Sequence, residues 1–167
     1  MLIYNPAFDK YNCAYRILRI LSTLTTKPYR IDTIRIVDFY VLFPHLFSDV
    51  RLPPKHLQLK KRLRNLKNNY NEILNPRNLF DRLANLQLPA LKSMAAKGMI
   101  NRDKFNEGLI IREFTTLPEK LDKLIDRDIH EQEICNQIIE VIGEMTMFGR
   151  DGLKSRTGLM EFKYDAI

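Results

Sequence analysis

Asn75-Pro76-Arg77-Asn78-Leu79-Phe80-Asp81-Arg82-Leu83 opens like a helix, and Pro89-Ala90-Leu91-Lys92-Ser93-Met94-Ala95-Ala96-Lys97-Gly98-Met99-Ile100 closes like one that runs into a turn. Asn75 is suited to an N-cap, with Pro76 at the first helical position, and Leu79, Leu83 and Leu86 recur on one face. Pro89 can open a second helix. Leu91, Met94 and Ala95 give that helix a core side, Lys92, Ser93 and Lys97 an outer side, and Gly98 stands where a left-handed C-cap is wanted. Met99-Ile100 and Leu109 to Phe114 then read as the two arms of a β-hairpin, with Asn106-Glu107-Gly108 as a turn. Helix, helix, hairpin is the order of a winged helix. That fold serves base-reading regulators and proteins that never touch a base, so it locates a surface without naming a reaction.

Outward from this stretch the chain reads as mainly α with a small β-hairpin. Residues 1–52 form an N-terminal helical lobe, with one helix from about Phe8 to Thr25 and a second capped by Asp32. The second is apolar nearly all round from Ile36 to Phe43, interrupted by Asp38. Such a helix is buried on more than one side, in the core or under a partner, and Tyr40, Phe43 and Phe47 are its interface candidates. This lobe could itself be a degenerate winged helix, making the chain a tandem. Residues 53–75 form a basic connecting helix, 76–116 the winged-helix domain, and 117–167 a long C-terminal helix followed by a strand.

Charge is unevenly spread. The net charge is +7. From Val50 to Asn71 there are seven basic residues and no acidic one; from Leu117 to Met145 there are eight acidic and three basic. In the connecting helix, Leu59, Leu63, Leu66, Tyr70 and Ile73 fall within about 40° of one line, leaving Lys60, Lys61, Arg64 and Lys67 to meet phosphates or solvent. Lys92, Lys97, Arg102 and Lys104 are further nucleic-acid candidates around the helix and wing. Phosphate contacts of this kind set affinity without reading sequence.

Thr116-Leu117-Pro118-Glu119 has capping-box spacing ahead of the C-terminal helix. The apolar stripe of that helix shifts by about 100° between Leu121-Leu124-Ile125-Ile129 and Ile134-Ile138-Val141-Ile142-Met145. The helix therefore either breaks near Asp128 to Glu133 or packs its halves on different bodies. Ile138, Ile142 and Met145 join the interface candidates, as do Phe162 and Tyr164, which alternate with Glu161, Lys163 and Asp165 as in a half-buried strand.

Catalytic and metal chemistry find no foothold. Gly149-Arg150-Asp151-Gly152-Leu153-Lys154-Ser155 lacks the spacing and leading strand of a phosphate loop. His45, His56 and His130 lie far apart without zinc-ligand spacing, and Cys13 and Cys135 read as isolated buried thiols. Asp122, Asp126 and Asp128 read as a solvated helix face. The expectation is a non-enzymatic protein without cofactor or metal, cytoplasmic, with no membrane helix, because no apolar run approaches the roughly 20 residues needed.

The opening Asn5-Pro6-Ala7-Phe8-Asp9-Lys10-Tyr11-Asn12-Cys13-Ala14-Tyr15-Arg16, followed by Ile17-Leu18-Arg19-Ile20-Leu21, together with the small size and the winged-helix layout, resembles the middle components of bacterial ABC-three-component systems. The resemblance implies an accessory subunit of an SMC- or Rad50-like ATPase, working with a nuclease-type effector as in Lamassu-type defence operons and assisting in the sensing of double-stranded DNA without sequence specificity. The rival reading is a free winged-helix transcription regulator. Its reading helix would be Pro89 to Lys97, which offers no Asn, Gln or Arg for bidentate base contact.

Overall fold

The computed structural model describes residues 6–67 and 72–161. The chain is mainly helical with one small antiparallel sheet. Helix α1 (Lys10–Thr23) is capped by the Asp9 carboxylate, which accepts from the amides of Tyr11 and Asn12. It leads through β1 (Tyr29–Arg30) into α2 (Ile31–Leu42), the central helix, which packs against α1, against α4 (Pro76–Ala96) and against α7 (Glu133–Glu144). Phe39 and Tyr40 make α2's apolar girth useful: Phe39 meets Tyr40 and Phe80 edge-on, and Tyr40 stacks at a tilt on Phe47. Between α2 and α4 come a 3-10 turn at Pro44–Asp49 and the short α3 (Leu57–Arg64).

Pro89 does not open a second helix. Helix α4 runs unbroken through it, because Leu83, Gln87, Leu91 and Met94 keep one buried face on both sides of the proline, and Pro89 itself is exposed. The tertiary face outweighs the local hydrogen bond lost at a proline. The ends are as expected. The Asn75 side chain accepts from the Asn78 amide, and Gly98, at φ +70°, closes a Schellman motif in which Met99 N–H donates to Met94 C=O and Gly98 N–H to Ala95 C=O.

The return beyond Gly98 is hairpin-like but carries a helix at its tip. Asn101 caps α5 (Arg102–Asn106), after which β2 (Leu109–Ile110) pairs antiparallel with β1 and Arg112 bridges Ile100. The succession α1, β1, α2, α4 and this return, with β2 between β1 and residue 100, is compatible with a winged helix whose first helix and strand come from the N-terminal segment. The core is shared: residues of α1, α2, α3, α4, α6 and α7 form one buried cluster.

Two local expectations are corrected and one open alternative is resolved. The capping box at Thr116 does not form, since α6 (Glu119–Glu131) starts after Pro118 without a side-chain cap. The connecting helix stops at Arg64, well short of Ile73. The long C-terminal helix divides at Gln132 into α6 and α7, the first of the two options its shifted stripe allowed. The break is held chemically. Arg19 and the Gln132 amide both donate to Asp128 C=O, and the Asn136 amide group bonds Ile129 C=O, so carbonyls orphaned at the end of α6 find donors. After the turn at Gly149–Gly152 comes α8 (Leu153–Thr157), which the sequence reading missed. The terminal strand expected around Phe162 and Tyr164 lies outside the described residues.

Candidate interaction surfaces

A buried polar frame fixes the helices that carry the surfaces. Asp38, the one polar interruption in the apolar stretch of α2, takes Arg16 Nε at 2.7 Å and Gln87 Nε2 at 2.8 Å, so α1, α2 and α4 are joined through one carboxylate. Gln87 also donates to Arg35 C=O and accepts from Arg35 Nε. Burial pulls the Arg16 pKa down, but the adjacent Asp38 outweighs it and the group sits above its ordinary value.

The basic and acidic segments meet in space. Leu59 and Leu63 bury α3 against the Pro44–Asp49 turn and α7, which brings the two charge runs together. Arg62 pairs with Glu133 at 2.9 Å, Lys55 with Glu144 at 2.8 Å and Lys67 with Asp49 at 2.6 Å. Lys60 donates to Val50 C=O. The Glu133 and Glu144 carboxyls are held below the usual glutamate range, by Arg62 and by Lys55 respectively. Of the four cations singled out in the basic segment, Lys61 and Arg64 are exposed and make no ion pair or hydrogen bond among the described residues.

Of the other cation candidates, Lys97 and Arg102 border one groove of about 540 Å³ beyond the end of α4. Lys92 and Lys97 are exposed on α4, Arg102 donates to Ala96 C=O and Lys104 pairs with Glu107 at 2.7 Å. The aromatic and aliphatic interface candidates fall mostly inside. Tyr40, Phe47, Ile138 and Ile142 are buried in the chain's own core, and Phe43 and Met145 are half-buried against it. Phe162 and Tyr164 lie outside the described residues. Sequence reasoning had singled out the residues with the strongest apolar periodicity, and those are the ones the core takes first.

Two further grooves, neither read from the sequence, have apolar residues in their walls. One, about 230 Å³, lies between α1 and the end of α4, with Tyr11, Tyr15, Met94 and Leu121 in its wall. The other, about 420 Å³, lies between the extended segment 112–117 and α6, bordered by Phe114, Leu117, Asp122, Ile125, Asp126 and Ile129. Phe114 is 84% exposed. Its signal was a single aromatic among Glu113, Thr115 and Thr116, too short for any periodicity.

Among the described residues no group of three His, Cys, Asp or Glu side chains could hold a metal ion, and no helix is long and apolar enough to cross a membrane. The three aspartates of α6 part company: Asp128 is buried on Tyr15 and Arg127, whereas Asp122 and Asp126 border the second groove. Polar side chains therefore go to joining helices and lining grooves.

Neither a curated protein nor a solved structure matches the chain. A family does match, over residues 2–165: the ABC-three component (ABC-3C) system Middle Component 5. With nearly the whole length covered, the chain belongs to the middle components of ABC-three-component systems.

Proposed function

We propose that this chain is a non-enzymatic accessory subunit that holds an SMC- or Rad50-like ATPase and a nuclease-type effector in one cytoplasmic complex, as in Lamassu-type defence, and assists the sensing of double-stranded DNA. The observation that carries it is the family match across residues 2–165, since a middle component works with the other components of its system. The grooves beside α4 and α6 suit protein partners better than the buried aromatic residues of α2 do. In the basic segment, DNA contact falls to Lys61 and Arg64, because Lys60 and Lys67 are already engaged within the chain.

The test is co-expression with the proteins encoded beside it, followed by light scattering on a sizing column. A stable assembly containing a coiled-coil ATPase supports the reading. A chain that elutes alone, or as a homodimer that shifts one DNA fragment, sinks it.

A further inference from the structure

The small sheet has an open edge. Asn101 N–H donates to Ile111 C=O and Glu113 N–H to Met99 C=O, so these odd-numbered residues turn their main-chain groups toward residues 99–101. On the opposite side Ile31 N–H donates to Gly108 C=O and Ile110 pairs with Tyr29. Main-chain groups alternate along a strand, so those of Arg112 and the N–H of Phe114 also face the β1 side, before Thr115 N–H, donating to Glu113 C=O, turns the chain. Continuing the register would set Lys27 opposite Arg112, but Pro28 ends β1 and the chain bends away. Among the described residues, the main-chain N–H and C=O groups of Arg112 and Phe114 have no partner.

This edge opens onto the 420 Å³ groove. Its apolar side is Phe114, Leu117, Ile125 and Ile129; its charged side is Asp122 and Asp126, one turn apart on α6. Neither aspartate forms an ion pair among the described residues; the Arg112 guanidinium feels the charge of Asp122 but gives its hydrogen bond to Met99 C=O at 3.1 Å.

Resting on the accessory-subunit reading, we infer that the Arg112–Phe114 edge receives an extended segment of another component of the same system, in which basic and apolar side chains alternate. Its backbone pairs with Arg112 and Phe114, an apolar side chain covers Phe114 and Leu117, and Lys or Arg reaches Asp122 and Asp126. The backbone supplies affinity and the two aspartates select the charge.

Hydrogen–deuterium exchange on the full chain, alone and in complex with the co-purified components of its system, tests this. Exchange over residues 111–115 should slow at least about tenfold in the complex, as amides do when they enter a ladder. The double variant Asp122→Lys/Asp126→Lys should weaken assembly by about tenfold through two reversed ion pairs. Phe114→Pro, which removes the N–H as well as the ring, should weaken it more than Phe114→Ala. If the complex forms with exchange at 111–115 unchanged and the charge-reversed variant assembling normally, the edge proposal fails and the accessory reading stands. If no component binds, the accessory reading fails and takes the edge with it. Slowing that rises with the concentration of the chain alone would assign the edge to a second copy and overturn the proposal.

Discussion

Arg16 Nε donates to Asp38 Oδ1 at 2.7 Å, and the Asp38 side chain is wholly shielded from solvent. Gln87 bonds the other carboxylate oxygen, so three helices meet at one buried charge. Asp38→Ala leaves the Arg16 guanidinium buried without a counter-charge, a change that costs about 3–5 kcal/mol. Urea unfolding followed by circular dichroism should show that loss. Replacing both partners, as Arg16→Met with Asp38→Leu, should cost less than Asp38→Ala alone; an equal or larger loss would mean the pair matters for its shape rather than its charge.

Tyr15 Oη donates to Asp128 Oδ2 at 2.7 Å and Arg127 Nη2 to Oδ1 at 2.8 Å. Burial raises the Asp128 pKa, but these two donors outweigh it and hold the carboxyl below the usual aspartate value. Burial and then Asp128 push the Tyr15 hydroxyl up to about 12, so it remains a donor at every working pH. A depressed carboxyl stabilises the fold fully above its unfolded pKa of about 3.9 and loses that contribution as pH falls through the lower folded value. Unfolding free energy measured from pH 7 to pH 2 should therefore drop at the acid end. Asp128→Asn should be less stable at pH 7 and show a shallower acid slope; an unchanged slope would exclude Asp128 from the acid transition.

The parts of the fold legible in the sequence were those governed by local chemistry: the Asn75 cap, the Gly98 stop and the return after it, and the shifted stripe that marks the break at Gln132. What sequence left hidden depended on contacts far apart in the chain. Pro89 reads as a start until the buried face spanning it is seen, and Asp38 reads as an interruption until Arg16 and Gln87 arrive. The basic run looked free because its acidic partners, Glu133 and Glu144, lie over 70 residues away. The open edge at Phe114 was invisible for the same reason, since it exists only because β1 stops at Tyr29.

Cys13 has no solvent-exposed surface, and burial, with Asp38 nearby, pushes its thiol up to about 12. Burial raises Cys135 as well, against the pull of Arg19. Because the thiolate is the reactive form, alkylation by iodoacetamide at pH 8 should be slow in the native chain and should proceed at both thiols in urea. Mass spectrometry of the labelled chain counts them. Rapid native labelling of Cys13 would show that α1 leaves the core on the labelling timescale.

Gly152 has an ordinary negative φ, so its need for glycine is one of space: an added Cβ would lie 2.3 Å from Phe148 C=O. Backbone cannot turn aside as a side chain can. Gly152→Ala should destabilise by about 1–3 kcal/mol, the usual cost of overpacking, and should loosen the turn that leads into α8. The equivalent change at Gly143 is crowded by the Leu24 methyl, the far end of a flexible side chain, and touches Tyr29 at ordinary contact distance, so it should cost less. Thermal melts of the two variants side by side test the ranking, and a reversed order would put the Phe148–Gly152 turn elsewhere.

Lys61 and Arg64 are the two cations of α3 left without an internal partner among the described residues, whereas Lys60 and Lys67 hold Val50 C=O and Asp49. If DNA held by the assembled complex touches this helix, each phosphate neutralised contributes about −0.9 to the log-log slope of affinity against salt. Lys61→Glu/Arg64→Glu should therefore make the slope shallower by about 1.8 and weaken binding alike on any duplex sequence. Lys60→Gln and Lys67→Gln should leave the slope unchanged and act on stability, through the lost contacts at residues 49 and 50. Fluorescence anisotropy of the complex on two unrelated duplexes, from 50 to 300 mM salt, separates these outcomes. Equal slopes for wild type and the double charge reversal would remove α3 from the DNA surface and leave it as the helix that fastens α7 to the Pro44–Asp49 turn.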